Sequence, residues 1–157
     1  MTCPRTAALI VAAGQGLRSG SAVAKQFALL AGKPMIAHSH AALARHPAIG
    51  RVIVVIGEGQ QPTLEAAIGP IEHVLGGATR RLSVRAGLET LAAEAPDRVL
   101  IHDAARPFLS AAVIDRLLAA LDTSTGAVPA LPVADTDLAV VGECANVGEA
   151  TRGGAAR

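Results

Sequence analysis

Residues 6–26 read TAALIVAAGQGLRSGSAVAKQ. The apolar run Ala7–Ala12 has the length and continuity of a strand buried on both faces. It leads into a glycine-rich loop, Ala12–Gln26, whose only charges are Arg18 and Lys25. Gly14, Gly16 and Gly20 let the backbone turn tightly and approach a ligand closely. Free N–H groups in such a turn form an anion-binding concavity, and two cations on the same loop favour a polyphosphate. The spacing fits neither common phosphate motif. A dinucleotide fingerprint needs G-x-G-x-x-G and an acid about 20 residues on, whereas the third glycine falls at Gly20 and the first acid in the chain is Glu58. No G-x-x-x-x-G-K-[ST] string occurs. The plain alternative is a strand-to-helix turn that happens to be rich in glycine.

Downstream, strand and helix patterns alternate. Pro34 suits the first turn of a helix in which Met35, Ile36, His40 or Ser39, and Leu43 recur at helical spacing. Arg51–Ile56 is a second buried strand, Gln60–Ile68 a helix and Ile71–Leu75 a third strand. Thr79–Ala93 is the strongest helix, with Leu82, Ala86, Leu88 or Glu89, and Leu91 along one side. Arg98–His102 is a fourth strand, and Ser110 caps a helix over Ala111–Leu121. A last strand lies in Gly126–Val133, and Pro129 and Pro132 end it early or put it at an edge. Residues 134–157 read as an irregular tail. The alternation predicts one α/β domain over residues 1–157: a Rossmann-like, mostly parallel sheet with helices on both faces.

In such sheets ligands sit beyond the carboxyl ends of the strands. Four stretches fall there: the first loop, Gly57–Gly59, Gly76-Gly77-Ala78-Thr79-Arg80, and His102-Asp103-Ala104-Ala105-Arg106-Pro107. The last puts Asp103 at a strand tip, facing the crevice of Arg18 and Lys25. An acid beside a polyphosphate cradle needs a reason, and a bridging Mg²⁺ shared with phosphates supplies one. A structural turn acid is the alternative. His102, its neighbour, points away and reads as structural, while His38, His40, His46 and His73 read as surface or packing residues.

Composition narrows the partners. The net charge is +1 and the aromatics are Phe27 and Phe108 alone, so neither a global field nor stacking platforms favour nucleic acid. Residues 1–57 hold six basic residues and no acid, against eight basic and thirteen acidic residues in 58–157. That asymmetry suits an anionic ligand near the N-terminal half. Cys3 and Cys144 are too few for a disulfide framework or zinc site, which points to a reducing compartment. No apolar run reaches the ~18 residues of a membrane span, and no signal-peptide pattern is present. A cytoplasmic protein without membrane partners is expected.

The strings AAGQGLRSG…AKQF, GGATRRLSV and HDAARP, in this order and at these gaps, resemble the 2-C-methyl-D-erythritol 4-phosphate cytidylyltransferases over about residues 5–136. HDAARP is the most specific of them. The resemblance implies a nucleotidyltransferase fold and a role in non-mevalonate isoprenoid synthesis. It implies that Arg18 and Lys25 act on the triphosphate and the transition state. Backbone at Ala12, Ala13, Gly14 and Gly76, with the Ser83 hydroxyl, would hold cytosine. Gly16 and Gly77 belong to the same nucleotide-binding loops, and Ala104 would touch the ribose. Asp103 would hold Mg²⁺ beside the sugar phosphate, with Arg106 and Thr136 toward the acceptor.

Three departures stand out. Ala24 precedes Lys25 where the family usually has proline. Ala78 follows the glycine pair where an acid is common. The later T-V-D-R and T-P-Q stretches have no clear counterpart; read as a remnant of T-V-D-R, Thr151-Arg152 would place Arg152 near the acceptor. The chain thus reads as shortened. It is expected to bind CTP with Mg²⁺ but to turn over poorly, and to lack part of the arm that pairs subunits in a homodimer. Two other readings stay open: a ribitol 5-phosphate cytidylyltransferase, and a nucleotide-binding module with little turnover.

Overall fold

A computed structural model describes residues 4–14, 23–130 and 145–146. The chain divides into two compact units, Met1–Leu109 and Ser110–Arg157.

The first unit is built on a four-stranded parallel sheet. Its strands are β1 (Thr6–Val11), β4 (Ile49–Ile56), β5 (His73–Leu75) and β6 (Arg98–Asp103), in the order β5-β4-β1-β6. β1 is central, and Thr6 to Ile10 are all buried, as its unbroken apolar run predicts. Alternation splits its side chains between two layers. Ala7 and Leu9 join Ile53, Val55 and Leu91 in one core, against which α3 (Arg80–Ala92) packs through β1, β4 and β5. Ile10, Val54 and Ile56 have the opposite parity and are fully buried. Helix α1 (Met35–Ala44) packs on β4 and β1, and α2 (Gln61–Ile68) packs on α1.

Most predicted elements form close to their expected bounds. Pro34 sits at the N-cap of α1 rather than inside its first turn, and Ile36, Ser39 and Leu43 form the buried stripe. Residues 25–34 form a one-turn 3-10 helix, Lys25–Phe27, and a small hairpin of β2 (Leu29–Leu30) and β3 (Lys33–Pro34).

The inward face of α3 differs from the expectation. Ser83, Gly87 and Leu91 are buried, whereas Leu82 and Leu88 are exposed. The cause is close packing on β1: a Cβ at Gly87 would collide with both methyls of Leu9. Small residues therefore carry this contact, and a periodicity of large apolar residues cannot mark it. Gly87→Ala should destabilise the fold. The helix-propensity gain of about 1 kcal/mol is smaller than or comparable to an overpacking cost of about 1–3 kcal/mol. Urea unfolding checks the sign, and a stabilised Gly87→Ala would mean that α3 can move off β1 at little cost.

In the second unit α4 (Ala111–Ala120) starts at Ser110, whose hydroxyl accepts the Val113 N–H. It lies against β7 (Ala127–Val128), which ends directly before Pro129. A two-residue strand, β8 (Ala145–Asn146), pairs in parallel with β7 inside the region read as irregular from sequence.

Candidate active site

The strand order fixes where a site can lie. From β1 the chain goes on to β4 on one side, while β6 lies on the other. The carboxyl ends of β1 and β6 therefore open a crevice at a topological switch point. A cavity of about 580 Å³ occupies it, within the usual range for ligand sites.

Three segments line this cavity. After β1 come Ala12, Ala13 and Gly14, with Lys25 and Gln26 farther along the same connection. After β5 come Gly77 to Arg80 and, one turn into α3, Ser83. After β6 come Asp103 to Arg106. Gly76 lies directly behind the wall: a Cβ there would stand 2.6 Å from Ser83 Oγ and 2.7 Å from the Ala13 Cβ. Of the predicted site residues, Ala12, Ala13, Gly14, Lys25, Gly76, Gly77, Ser83, Asp103, Ala104 and Arg106 are thus brought to one place. Gly16, Arg18, Thr136 and Arg152 lie outside the described residues.

The charged cluster is organised by Asp103. Arg80 donates from Nε and Nη2 to Asp103 Oδ1 at 3.1 and 2.9 Å, and Arg106 Nε donates to Oδ2 at 3.1 Å. Burial pushes the Asp103 carboxyl upward, but the Arg80 hydrogen bonds and the charges of Arg80 and Arg106 outweigh it and hold it below its ordinary range. A carboxylate offers about four acceptor positions, and three N–H groups use most of them. One direction remains for a cation. Among the described residues no group of three or more His, Cys, Asp or Glu could hold a metal alone. An ion that keeps waters and is bound through one carboxylate plus substrate phosphates fits this donor set.

The Asp103–Arg106 turn is braced from beneath. The fully buried Ser39 hydroxyl reaches the Ala104 and Arg106 carbonyls at 3.2 and 3.3 Å. His102 Nε2 lies 2.9 Å from the Arg106 carbonyl. Burial lowers the His102 pKa, so the neutral ring donates that bond and the residue is structural, as its strand parity suggests. Lys25 is exposed and makes no ion pair with any described residue.

Sequence reasoning overlooked Arg80, although it left a signal. Arg80 and Arg81 open α3, where no acid stands, and cations at a helix N-terminus oppose the helix dipole. An acid or an anionic ligand must compensate them. Ser83 is 2% exposed, and its single hydroxyl proton is spent on the Gly77 carbonyl at 3.2 Å or the Thr79 carbonyl at 3.0 Å. Toward the cavity this oxygen is left as an acceptor.

Replacing the chief partner of Asp103 gives a direct check. In Arg80→Gln, burial should regain the upper hand and the Asp103 pKa should rise. A depressed carboxylate stabilises the fold above its unfolded pKa, and that contribution fades as pH falls through the folded pKa. The acid-dependent loss of stability linked to Asp103 should therefore shrink in the variant. Carboxyl ¹³C titration reads the shift, and an unmoved pKa would show that the Arg80 contact is not formed in solution.

A switch-point cavity walled by glycine-bearing turns and carrying three cations gives an α/β fold with a site suited to an anionic, phosphate-bearing ligand. The sequence profile "IspD: 2-C-methyl-D-erythritol 4-phosphate cytidylyltransferase" matches residues 6–152, and the chain belongs to that family. The match continues past residue 136, through the segment in which the T-V-D-R and T-P-Q strings have no clear counterpart. The chain is 64% identical over 136 residues to the bifunctional enzyme IspD/IspF of Rhizorhabdus wittichii, covering 85% of this chain and 35% of that enzyme. It is 48% identical over 134 residues to the 2-C-methyl-D-erythritol 4-phosphate cytidylyltransferase of Cereibacter sphaeroides, covering 83% of this chain and 60% of the relative. The crystal structure of a 4-diphosphocytidyl-2C-methyl-D-erythritol synthase superposes with a TM-score of 0.71 at 29% identity, covering 86% of this chain and 63% of the other. The bifunctional IspDF of Campylobacter jejuni gives the same TM-score and identity over 85% of this chain and 35% of its own. The chain therefore spans about a third of the bifunctional relatives and 60% of the monofunctional one.

Proposed function

We propose that the chain carries the cytidylyltransferase reaction joining CTP to 2-C-methyl-D-erythritol 4-phosphate, giving CDP-methylerythritol and pyrophosphate. Family membership supports the reaction class. The observation that carries the reading to this chain's own residues is the cavity itself, where Lys25, Arg80 and Arg106 converge with the acceptor-only Ser83 oxygen.

In this reading a phosphate oxygen of the acceptor attacks the α-phosphorus of CTP, and the bond to pyrophosphate breaks. The attacking oxygen is already ionised, so no general base is required. Catalysis then consists of positioning and charge neutralisation. Lys25, and by resemblance Arg18, offset negative charge gathering on the α-phosphate and the leaving group. By the same resemblance the acceptor would fall to Arg106, Thr136 and Arg152, the last two of which lie outside the described residues. Asp103 would hold Mg²⁺ together with phosphate oxygens, and that ion would supply further charge neutralisation. The same reading has the enzyme act in the cytoplasm as a homodimer. No described helix is long and apolar enough to cross a membrane.

Base choice follows from hydrogen-bond polarity. Ser83 Oγ and the lone pairs that Gln26 leaves on the backbone carbonyls of Ala12–Gly14 present acceptors, which receive the 4-amino group of cytosine and oppose the carbonyl of uracil. A site that pairs a donor rejects the analogue lacking it by at least about 100-fold. Calorimetric titration with CTP and UTP tests this. A preference for CTP is expected, and equal affinities would remove Ser83 and these carbonyls from base recognition.

A further inference from the structure

We infer that Gln26 is a positioning residue that locks the nucleoside side of the cavity to its catalytic lysine. The inference rests on the function proposed above and adds a residue to it.

Gln26 follows Lys25 in the one-turn 3-10 helix, and its side chain is turned inward, 5% exposed. Its amide nitrogen donates to the Ala12 carbonyl at 2.6 Å and to the Gly14 carbonyl at 2.7 Å. Both N–H groups of one amide are thus spent on the two residues that flank Ala13. Gly14 and Lys25 are distant in sequence, yet this clasp fixes where one lies relative to the other. Gln60 Nε2 also faces the Gly14 carbonyl, but at 3.5 Å it is too long to hold it firmly.

The fold has its own means of building the turn. Phe27 N–H bonds to the Ala24 carbonyl at 2.9 Å, Ala28 N–H to the Lys25 carbonyl at 3.1 Å, and the Phe27 ring is buried. The turn should therefore still form without the Gln26 amide, but it should open more readily. What disappears is its registration against Ala12 and Gly14, and with it the placement of the Lys25 ammonium opposite the base-facing backbone. A misplacement of this kind can cost about 100-fold in rate even when made away from the reacting atoms.

Two measurements test this on Gln26→Met, with Gln26→Glu as the shape-conserving alternative if the first folds poorly. The first needs no ligand. Amide exchange at Lys25–Ala28 should quicken at least about tenfold on loss of two buried hydrogen bonds, while β1 amides keep their protection. Unchanged exchange at Lys25–Ala28 would overturn the clasp whether or not CTP binds. The second is a double-mutant cycle with Lys25→Ala, read as CTP affinity and as kcat and KM. If Gln26 acts by placing Lys25, then Lys25→Ala should cost much less in the Gln26→Met background than in the wild type. Additive losses at unchanged melting temperature would show that Gln26 is structural only and would overturn the inference. Failure of the wild-type chain to bind CTP would instead count against the proposed function.

Discussion

Lys25→Ala is expected to lower turnover by about 10²–10³-fold, the usual effect of removing one preorganised charge from a developing anionic centre. The residue stands in the cavity wall, is exposed and has no ion-pair partner among the described residues. Arg80 and Arg106 differ, because both are engaged by Asp103. A cation that neutralises no neighbour contributes little to the fold, since even paired surface charges contribute only about 0–1 kcal/mol. Melting should therefore stay near that of the wild type while kcat falls. If Lys25→Ala turned over within a few-fold of the wild type, the ammonium would have no place in the transition state.

Gly76→Ala should damage both stability and nucleotide binding. The added methyl would lie 2.6 Å from Ser83 Oγ, 2.7 Å from Ala13 Cβ and 3.0 Å from Val55 Cγ1. None of the three gives way easily. Ser83 Oγ is held by backbone carbonyls, the Ala13 methyl has no rotamer to change, and Val55 is fully buried and stiff at χ1. Relief must come from the backbone after β5, whose Gly76 N–H is bonded to the Ile56 carbonyl at 2.8 Å. Overpacking of this kind costs about 1–3 kcal/mol. The displaced groups, Ser83 and Ala13, are those assigned to the base, so CTP affinity should fall more than the loss of stability alone explains. Calorimetry beside thermal melting measures both. Wild-type values in each would show that the Gly76–Ser83 contact is loose.

The fold was legible from strand ends and their punctuation. Unbroken apolar runs marked β1 and β4, and Pro129 marked the end of β7. Most residues that line the cavity were legible too, because a parallel sheet gathers whatever follows its strands. What escaped was packing between distant small residues. Gly87 and Ser83 look neutral in a helical pattern, yet they set the distance between α3 and β1, and they turned the true inward face away from Leu82 and Leu88. Gln26 escaped for a similar reason, since its partners Ala12 and Gly14 are defined only once the connection after β1 has returned. Arg80 was readable in principle from its unfavourable place at a helix N-terminus, a signal easily overlooked beside the glycine pair before it.

The most direct test of the central claim is pyrophosphate release from CTP, measured with 2-C-methyl-D-erythritol 4-phosphate and Mg²⁺ and compared with UTP, GTP and ribitol 5-phosphate. Release confined to CTP with methylerythritol phosphate, and lost in Lys25→Ala, is the predicted result. Binding of CTP without release under any acceptor would contradict the catalytic assignment of the cavity and leave it a nucleotide-binding site.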